Sequence, residues 1–253
     1  MKRIPYQIVY EDEEIIVVNK NYNVLTIATD DKKTFHNNLQ YYLNQYLKEK
    51  KEKVFLIHRL DYETSGILIF AKNIERQKKL KDCFLNHTVE RYYEAVIQEK
   101  RKEDTIFHHY ETYLSINSKN GKVFLSDKDN GKLAAMDYKI RNPIQIGTSL
   151  LIKLETGRKN QIRIGLHDLG FTLVGDNRYS NSISKRMYLN CFCLNFPETI
   201  GLKENIFSIN PLWISDTDIL KNCTPNSQGC SFLSLRFYQG SDKSRQEVPS
   251  IVR

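Results

Sequence analysis

The run Gly66-Ile67-Leu68-Ile69-Phe70-Ala71 constrains this chain more than any other segment. Alternate residues of a strand face opposite sides, so a strand that is apolar at every position must be covered on both faces. It belongs in the middle of a sheet. Directly before it stand His58-Arg59-Leu60-Asp61-Tyr62-Glu63-Thr64-Ser65. Ionisable groups at the mouth of a buried strand are held in fixed positions, which is what catalysis needs.

Around this strand the chain predicts an α+β fold. Ile8-Val9-Tyr10 and Ile15-Ile16-Val17-Val18 read as a hairpin around an acidic turn. Leu39, Tyr42, Leu43, Tyr46 and Leu47 recur at helical spacing between Thr34, taken as N-cap, and Lys50. Asn73 caps a second helix carrying Ile74, Gln77, Leu80 and Phe84, and Tyr93, Ala95 and Ile97 alternate as a half-buried strand. Residues 105–155 form a meander broken at Asn120-Gly121, Asn130-Gly131 and Asn142-Pro143. A short helix runs from Asn160 to Leu169 and stops at Gly170. Strands follow around 187–196 and 205–209. Beyond Trp213, residues 214–253 carry no clear pattern except a possible strand from Phe232 to Phe237, and a poorly ordered tail is expected.

Composition narrows the function classes. With 40% hydrophobic and 27% charged residues the chain is an ordinary globular mixture, not disordered or fibrous. No stretch approaches the roughly 20 apolar residues of a membrane span. Met1-Lys2-Arg3 leads into Pro5 and Glu11-Asp12-Glu13-Glu14, not into the apolar core of a signal peptide. Five cysteines, an odd count without a C-x-x-C pair, fit reduced thiols in the cytoplasm. Cys191 and Cys193, two apart on a strand, are expected to share a face. Lys and Arg outnumber Asp and Glu by 38 to 30, a formal charge of +8 that favours a polyanionic partner.

Three clusters could carry chemistry. In the first, Asp61 can serve as nucleophile or general base, provided a cation offsets the desolvation that raises a buried carboxylate. Arg59 and Arg163 are the candidate cations. The alternative is an aspartate that merely caps a turn through Thr64 and Ser65. The second cluster, Thr156-Gly157-Arg158-Lys159-Asn160-Gln161-Ile162-Arg163, sits at a strand-to-helix junction, where backbone N–H groups and arginine forks suit phosphate. The third, Gly175-Asp176-Asn177-Arg178-Tyr179, reads as a structural turn. Ser182-Ile183-Ser184-Lys185 lacks the partner motifs of a serine acyltransferase, Ser65 lacks a nucleophile elbow, and no phosphate-cradling glycine loop occurs. His108-His109 lack ligand partners at useful spacing and are expected on an exposed strand.

Taken together and in order, these motifs resemble the pseudouridine synthases of the RluA type. HRLDYETSGILIFAK at 58–72 is similar to that family's H-R-L-D-x-x-T-S-G signature with its following strand. Residues 156–179 resemble its T-G-R-x-x-Q-I-R helix and G-D-x-x-Y turn, Glu90 to Val96 its K-x-Y-x-A strand, and Ile8 to Lys20 its opening hairpin. The resemblance spans roughly residues 5 to 196. It implies a pseudouridine synthase fold: a long mixed, mostly antiparallel sheet in two halves, flanked by helices, with a central cleft. The catalytic domain would be residues 1–213, with no N-terminal S4 module.

The same resemblance implies that the protein isomerises uridine to pseudouridine in structured ribosomal or transfer RNA, without metal or cofactor. Asp61 would act on the ribose of an everted nucleotide, by covalent attack or proton abstraction. Tyr93 would stack on the base and assist loss of the C5 proton, and Arg163 would pair with Asp61 and keep it charged. Arg59 would fill the gap left by the flipped uridine. His58, Arg158, Lys159 and Gln161 complete the expected RNA contacts, and the protein is expected to be a monomer. The alternative is an RNA-binding or chaperone module on the same fold with weak or lost catalysis. Four segments depart from the family pattern: Asn21 for proline, Arg91 for lysine, Lys159-Asn160 for Thr-His, and Tyr188-Leu189-Asn190 for Leu-His-Ala.

Overall fold

The computed structural model describes residues 5–210 and 212–213. The segment 214–253, with the expected strand at Phe232–Phe237 and with Cys223 and Cys230, lies outside the described residues.

Strands β1 (Tyr6–Glu11) and β2 (Ile15–Lys20) form the opening hairpin. Its turn is closed by Asp12, whose Oδ1 accepts the N–H groups of Glu14 and Ile15 at 2.8 and 2.9 Å. Helix α1 (Leu39–Tyr46) begins later than its apolar spacing suggests. The cap is Asn38, accepting from Tyr41 N at 2.9 Å. Thr34 is occupied upstream: its hydroxyl accepts from Thr29 N at 2.9 Å and donates to Asp31 O at 2.7 Å, closing a tight 3-10 turn at Lys32–Thr34. Strands β3 (Phe55–Leu56) and β4 (Ser65–Ala71) follow, and every residue of β4 is buried, as its composition requires. Helix α2 (Ile74–Leu85) is capped by Asn73, which accepts from Arg76 N at 2.7 Å.

Strand β5 (Glu90–Ile97) is buried at seven of its eight positions. The alternation predicts a half-buried strand, but β5 lies in mid-sheet, so its polar alternates Tyr92 and Glu94 are covered too. The meander comprises β6 (His108–Ile116), β7 (Val123–Ser126), β8 (Lys132–Ile144) and β9 (Gly147–Leu154). Two of its expected turns are present. The third is not: Asn142-Pro143 falls inside β8, where the register slips between Ile140 and Pro143, a position at which a strand tolerates proline. Helix α3 (Gln161–Asp168), β10 (Leu189–Asn195) and β11 (Ile206–Ser208) complete the chain.

The eleven strands form one sheet in the order β1-β2-β4-β10-β5-β9-β8-β6-β7, with β3 added to β4 and β11 to β10. All pairings are antiparallel except β4 with β10, so the sheet is mixed and mostly antiparallel. This short parallel seam, Ser65 opposite Asn190 and Gly66 opposite Cys191, joins the two halves. Gly66 explains itself here. Its φ is +117°, and an added Cβ would lie 2.1 Å from the carbonyl oxygen of Cys191, so the strands meet only because glycine has no side chain. A bulge between Cys191 and Cys193 puts the two thiols into separate apolar clusters, against the simple alternation expected of them.

Candidate active site

The seam positions the site. Residues 57–64 lead into β4 on one side of it, while β5, the end of β9 and the start of α3 approach from the other. Between them lies a cavity of about 580 Å³ lined by Asp61, Tyr93 and Arg163 together. The three expected catalytic residues, 102 positions apart at the extremes, thus share one enclosure.

The Asp61 loop is pinned from behind. Thr26 Oγ1 donates to Leu60 O at 2.9 Å, and Val24 N donates to Tyr62 O at 3.2 Å. Lys20, with no exposed surface, points its ammonium at three carbonyls: Asn21 and Val24 at 3.1 and 2.9 Å, and Tyr62 at 3.3 Å. Burial lowers this lysine to about 7, although Asp61 and Glu63 act to raise it. Asp61 itself is pushed above the ordinary carboxylate range by burial; Arg163 opposes the shift, Glu63 adds to it, and Arg59 and Lys159 oppose it. A carboxylate with a strengthened grip on its proton suits proton transfer or attack once a substrate displaces water.

Arg163 does not pair with Asp61 as expected. Its Nε and Nη2 donate to the buried carboxylate of Asp176 at 2.8 and 2.7 Å, and Nη1 donates to Glu63 at 3.2 Å. Asp176 also accepts from the N–H groups of Arg178 and Tyr179 at 2.9 and 3.2 Å, so the supposedly structural turn is the anchor of Arg163. Asp61 senses Arg163 only through its field. Tyr93 faces Cys191 across the β5–β10 pairing and is 7% exposed. Burial, with the neighbouring Cys191, holds its phenol proton well above the usual range, and Asp61 contributes in the same direction. Tyr93 is therefore a protonated aromatic wall.

The expected RNA contacts divide into two groups. Arg59 and Lys159 are exposed at the rim of the cavity and Arg158 is half-buried there. His58 and Gln161 have tasks inside the fold. The His58 ring stacks on Phe84 with centroids 4.4 Å apart, and its Nε2 accepts from Ile69 N at 3.3 Å. Burial and then Arg91 hold it far below its ordinary pKa, hence neutral. Gln161 accepts from Thr156 Oγ1 and Arg158 N at 2.8 and 2.9 Å and donates to Ala135 O at 2.9 Å, bracing the loop that carries Arg158. Sequence reasoning overlooked Glu63, which pairs with Arg163, and the cavity wall formed by Lys81, Phe84, Leu85 and His87 at the end of α2. Nothing local marks that wall; only the packing of α2 beside the Asp61 loop creates it.

Among the described residues, one group has metal-ligand spacing: His109, Asp137 and Glu155, with ligand atoms within 4.8 Å of one another. The partners that sequence spacing does not supply to His109 come from β8 and the end of β9. None of the three lines the cavity. No described helix is long and apolar enough to cross a membrane.

The family described as RNA pseudouridylate synthase matches residues 14–168. Over 183 residues the chain is 33% identical to ribosomal large subunit pseudouridine synthase D of Borreliella burgdorferi, covering 70% of this chain and 55% of that protein. Over 194 residues it is 34% identical to ribosomal large subunit pseudouridine synthase C of Rickettsia bellii, covering 72% and 61%. The chain thus spans little more than half the length of these relatives. Human RNA pseudouridylate synthase domain containing 1 superposes with a TM-score of 0.62 at 24% identity, covering 76% of this chain and 78% of that one, which shows a shared fold. With more than half its length matched by the family and its signature residues gathered at one seam, the chain belongs to the RNA pseudouridylate synthase family.

Proposed function

We propose that the protein converts uridine to pseudouridine in RNA. The observation that carries this reading is the meeting of Asp61, Tyr93 and Arg163 in one cavity whose rim is basic. A uridine everted from its stack enters that cavity. The N1–C1′ bond breaks, the uracil turns, C5 bonds to C1′, the C5 proton leaves and N1 gains one. The net change is an isomerisation: no electrons are exchanged, and the proton lost from C5 to water is matched by the one gained at N1. Asp61 acts on the ribose, by adduct or by proton abstraction. Tyr93 stacks against the ring and assists loss of the C5 proton, a role its firmly held phenol proton allows once the charge of Asp61 is spent. Arg163, fixed by Asp176, supplies the positive field that favours an ionised Asp61.

The names of the relatives support ribosomal RNA as the substrate class. Recognition then rests on phosphates and loop shape at the rim formed by Arg59, Arg158 and Lys159. As part of the same proposal the protein is a cytoplasmic monomer; the free thiols of Cys83, Cys191 and Cys193 fit a reducing compartment. The test is tritium release from cellular RNA carrying [5-³H]uridine. Release by the wild-type protein and its loss in Asp61→Asn support the reading. RNA binding without release from any RNA supports a binding module instead and defeats it.

A further inference from the structure

Four arginines are buried among the described residues: Arg76, Arg91, Arg141 and Arg163. Three have a carboxylate at ion-pair distance, in Glu14, Glu103 and Asp176 respectively. Arg91 has none. Its Nη2 donates to the main-chain oxygen of Glu155 at 2.9 Å, its Nε is buried with no hydrogen-bond partner, and its guanidinium lies 5.9 Å from the centre of the Phe84 ring. A buried charge without a counter-charge is costly, and such groups are normally paired or bind a ligand that pairs them.

Its position says which ligand. Arg91 stands two residues before Tyr93 on β5, so both side chains point to one face of the strand, and both line the cavity. Against the tip of its side chain lies Gly157, where an added Cβ would come 2.5 Å from Arg91 Nη1. The glycine lets the loop bearing Arg158 close down on the guanidinium, bringing two like charges together; burial depresses the Arg91 pKa, Tyr93 and Cys191 oppose the shift, and Arg158 adds to it. Apart from Arg163, which Asp176 and Glu63 already pair, the cavity is lined by the cations Arg59, Lys81, Arg91, Arg158 and Lys159 against a single carboxylate, Asp61. A uracil ring is neutral and needs no such excess. A phosphodiester does, and a guanidinium fork matches its oxygens.

We infer that Arg91, with Arg158 beside it, anchors a backbone phosphate flanking the everted uridine, which makes Arg91 a substrate-positioning residue. This rests on the proposed reading of the cavity as a uridine site, and it adds the handle by which the nucleotide is drawn in.

The test compares binding of uridine and of uridine 3′,5′-bisphosphate to the full-length protein by calorimetry. Charge-assisted bonds to a phosphate predict that the bisphosphate binds at least about tenfold tighter than the nucleoside. Arg91→Gln should erase that preference while leaving uridine affinity nearly unchanged, and Arg91→Lys should keep part of it. Gly157→Ala, which displaces the guanidinium without removing it, should also reduce the preference, and it serves if Arg91→Gln fails to fold. An undiminished preference in the variants overturns the inference. So does an equal loss for both ligands, which would mark a contact to the base or a structural role. Because this readout needs no turnover, it succeeds or fails separately from tritium release.

Discussion

Arg163 closes both prongs of its guanidinium on Asp176, at 2.8 and 2.7 Å, in a part of the protein where Asp176 has no exposed surface. The arginine that most strongly opposes the rise in the Asp61 pKa is therefore held by a second aspartate, thirteen residues further along the chain. Orientation and charge are divided between two acids: Asp176 fixes the fork, and Asp61 works in its field. Removing one member of a buried pair leaves the other without a counter-charge, typically at a cost of about 3–5 kcal/mol. Asp176→Asn is expected to lose stability on that scale in urea unfolding and to lower kcat along with it. Wild-type stability in this variant would show that the pairing is incidental.

A second prediction concerns Asp61 itself. Its pKa is raised in the folded protein, chiefly by burial. Between the unfolded value and the raised folded value the native state binds more protons, so the contribution of this group to stability falls as pH rises through that window. It stays at its lower level above both. Asp61→Asn removes the penalty. At pH 7 the variant should melt at a higher temperature than the wild type, yet lose at least about 10²-fold in tritium release, the lower end of what a general base contributes. A variant that melts lower would mean that Asp61 stabilises the fold and is not held there at a cost.

Legibility in the sequence followed the range of the interactions involved. β4 is readable because its burial is written in six consecutive side chains, and the cap of α2 because Asn73 and Arg76 are three residues apart. The start of α1 is not, since Thr34 and Asn38 are both good caps and only the turn at Lys32–Thr34 decides between them. Asp61, Tyr93 and Arg163 were legible as motif residues. The way they are supported was not. Asp176 reaches Arg163, Lys20 reaches Tyr62 O, and Phe84 reaches His58 only after the sheet has formed. Gln161 illustrates the limit: beside two basic residues it reads as a contact for RNA and it does line the cavity, but the bonds by which its amide braces the loop are not legible in the sequence.

The seam makes a third prediction. Gly66→Ala would place a Cβ 2.1 Å from Cys191 O at a φ of +117°. Cys191 O belongs to backbone and a Cβ is fixed by its own backbone, so neither atom can swing aside. Backbone strain of about 1–3 kcal/mol adds to overpacking of similar size, about 1–3 kcal/mol. The variant should be destabilised by roughly that sum, and the β4–β10 pairing that separates Asp61 from Tyr93 should open first. Amide exchange at Ser65 and Cys191 is the measurement. Protection unchanged from the wild type would contradict the close approach.

Lys20 gives the last prediction, and a sign that can be checked. Burial lowers its pKa to about 7 from an ordinary 10.5. Between those values the unfolded chain holds a proton that the folded protein has released, so stability should rise with pH across that range, by up to about 1.4 kcal/mol per pH unit. Below about 7 both states are charged and the slope vanishes. The charged form has three N–H groups for the three carbonyls of Asn21, Val24 and Tyr62; the neutral amine has two, and one carbonyl next to the Asp61 loop is released. Urea unfolding of wild type and Lys20→Met from pH 6 to 10 isolates the effect, because titrating groups that do not interact with Lys20 cancel in the difference. The wild type should gain stability on the variant above pH 7, and the variant should show lower kcat at every pH for want of the Tyr62 tether. Parallel stability curves for the two proteins would mean that the lysine keeps an ordinary pKa and that the loop is held by something else.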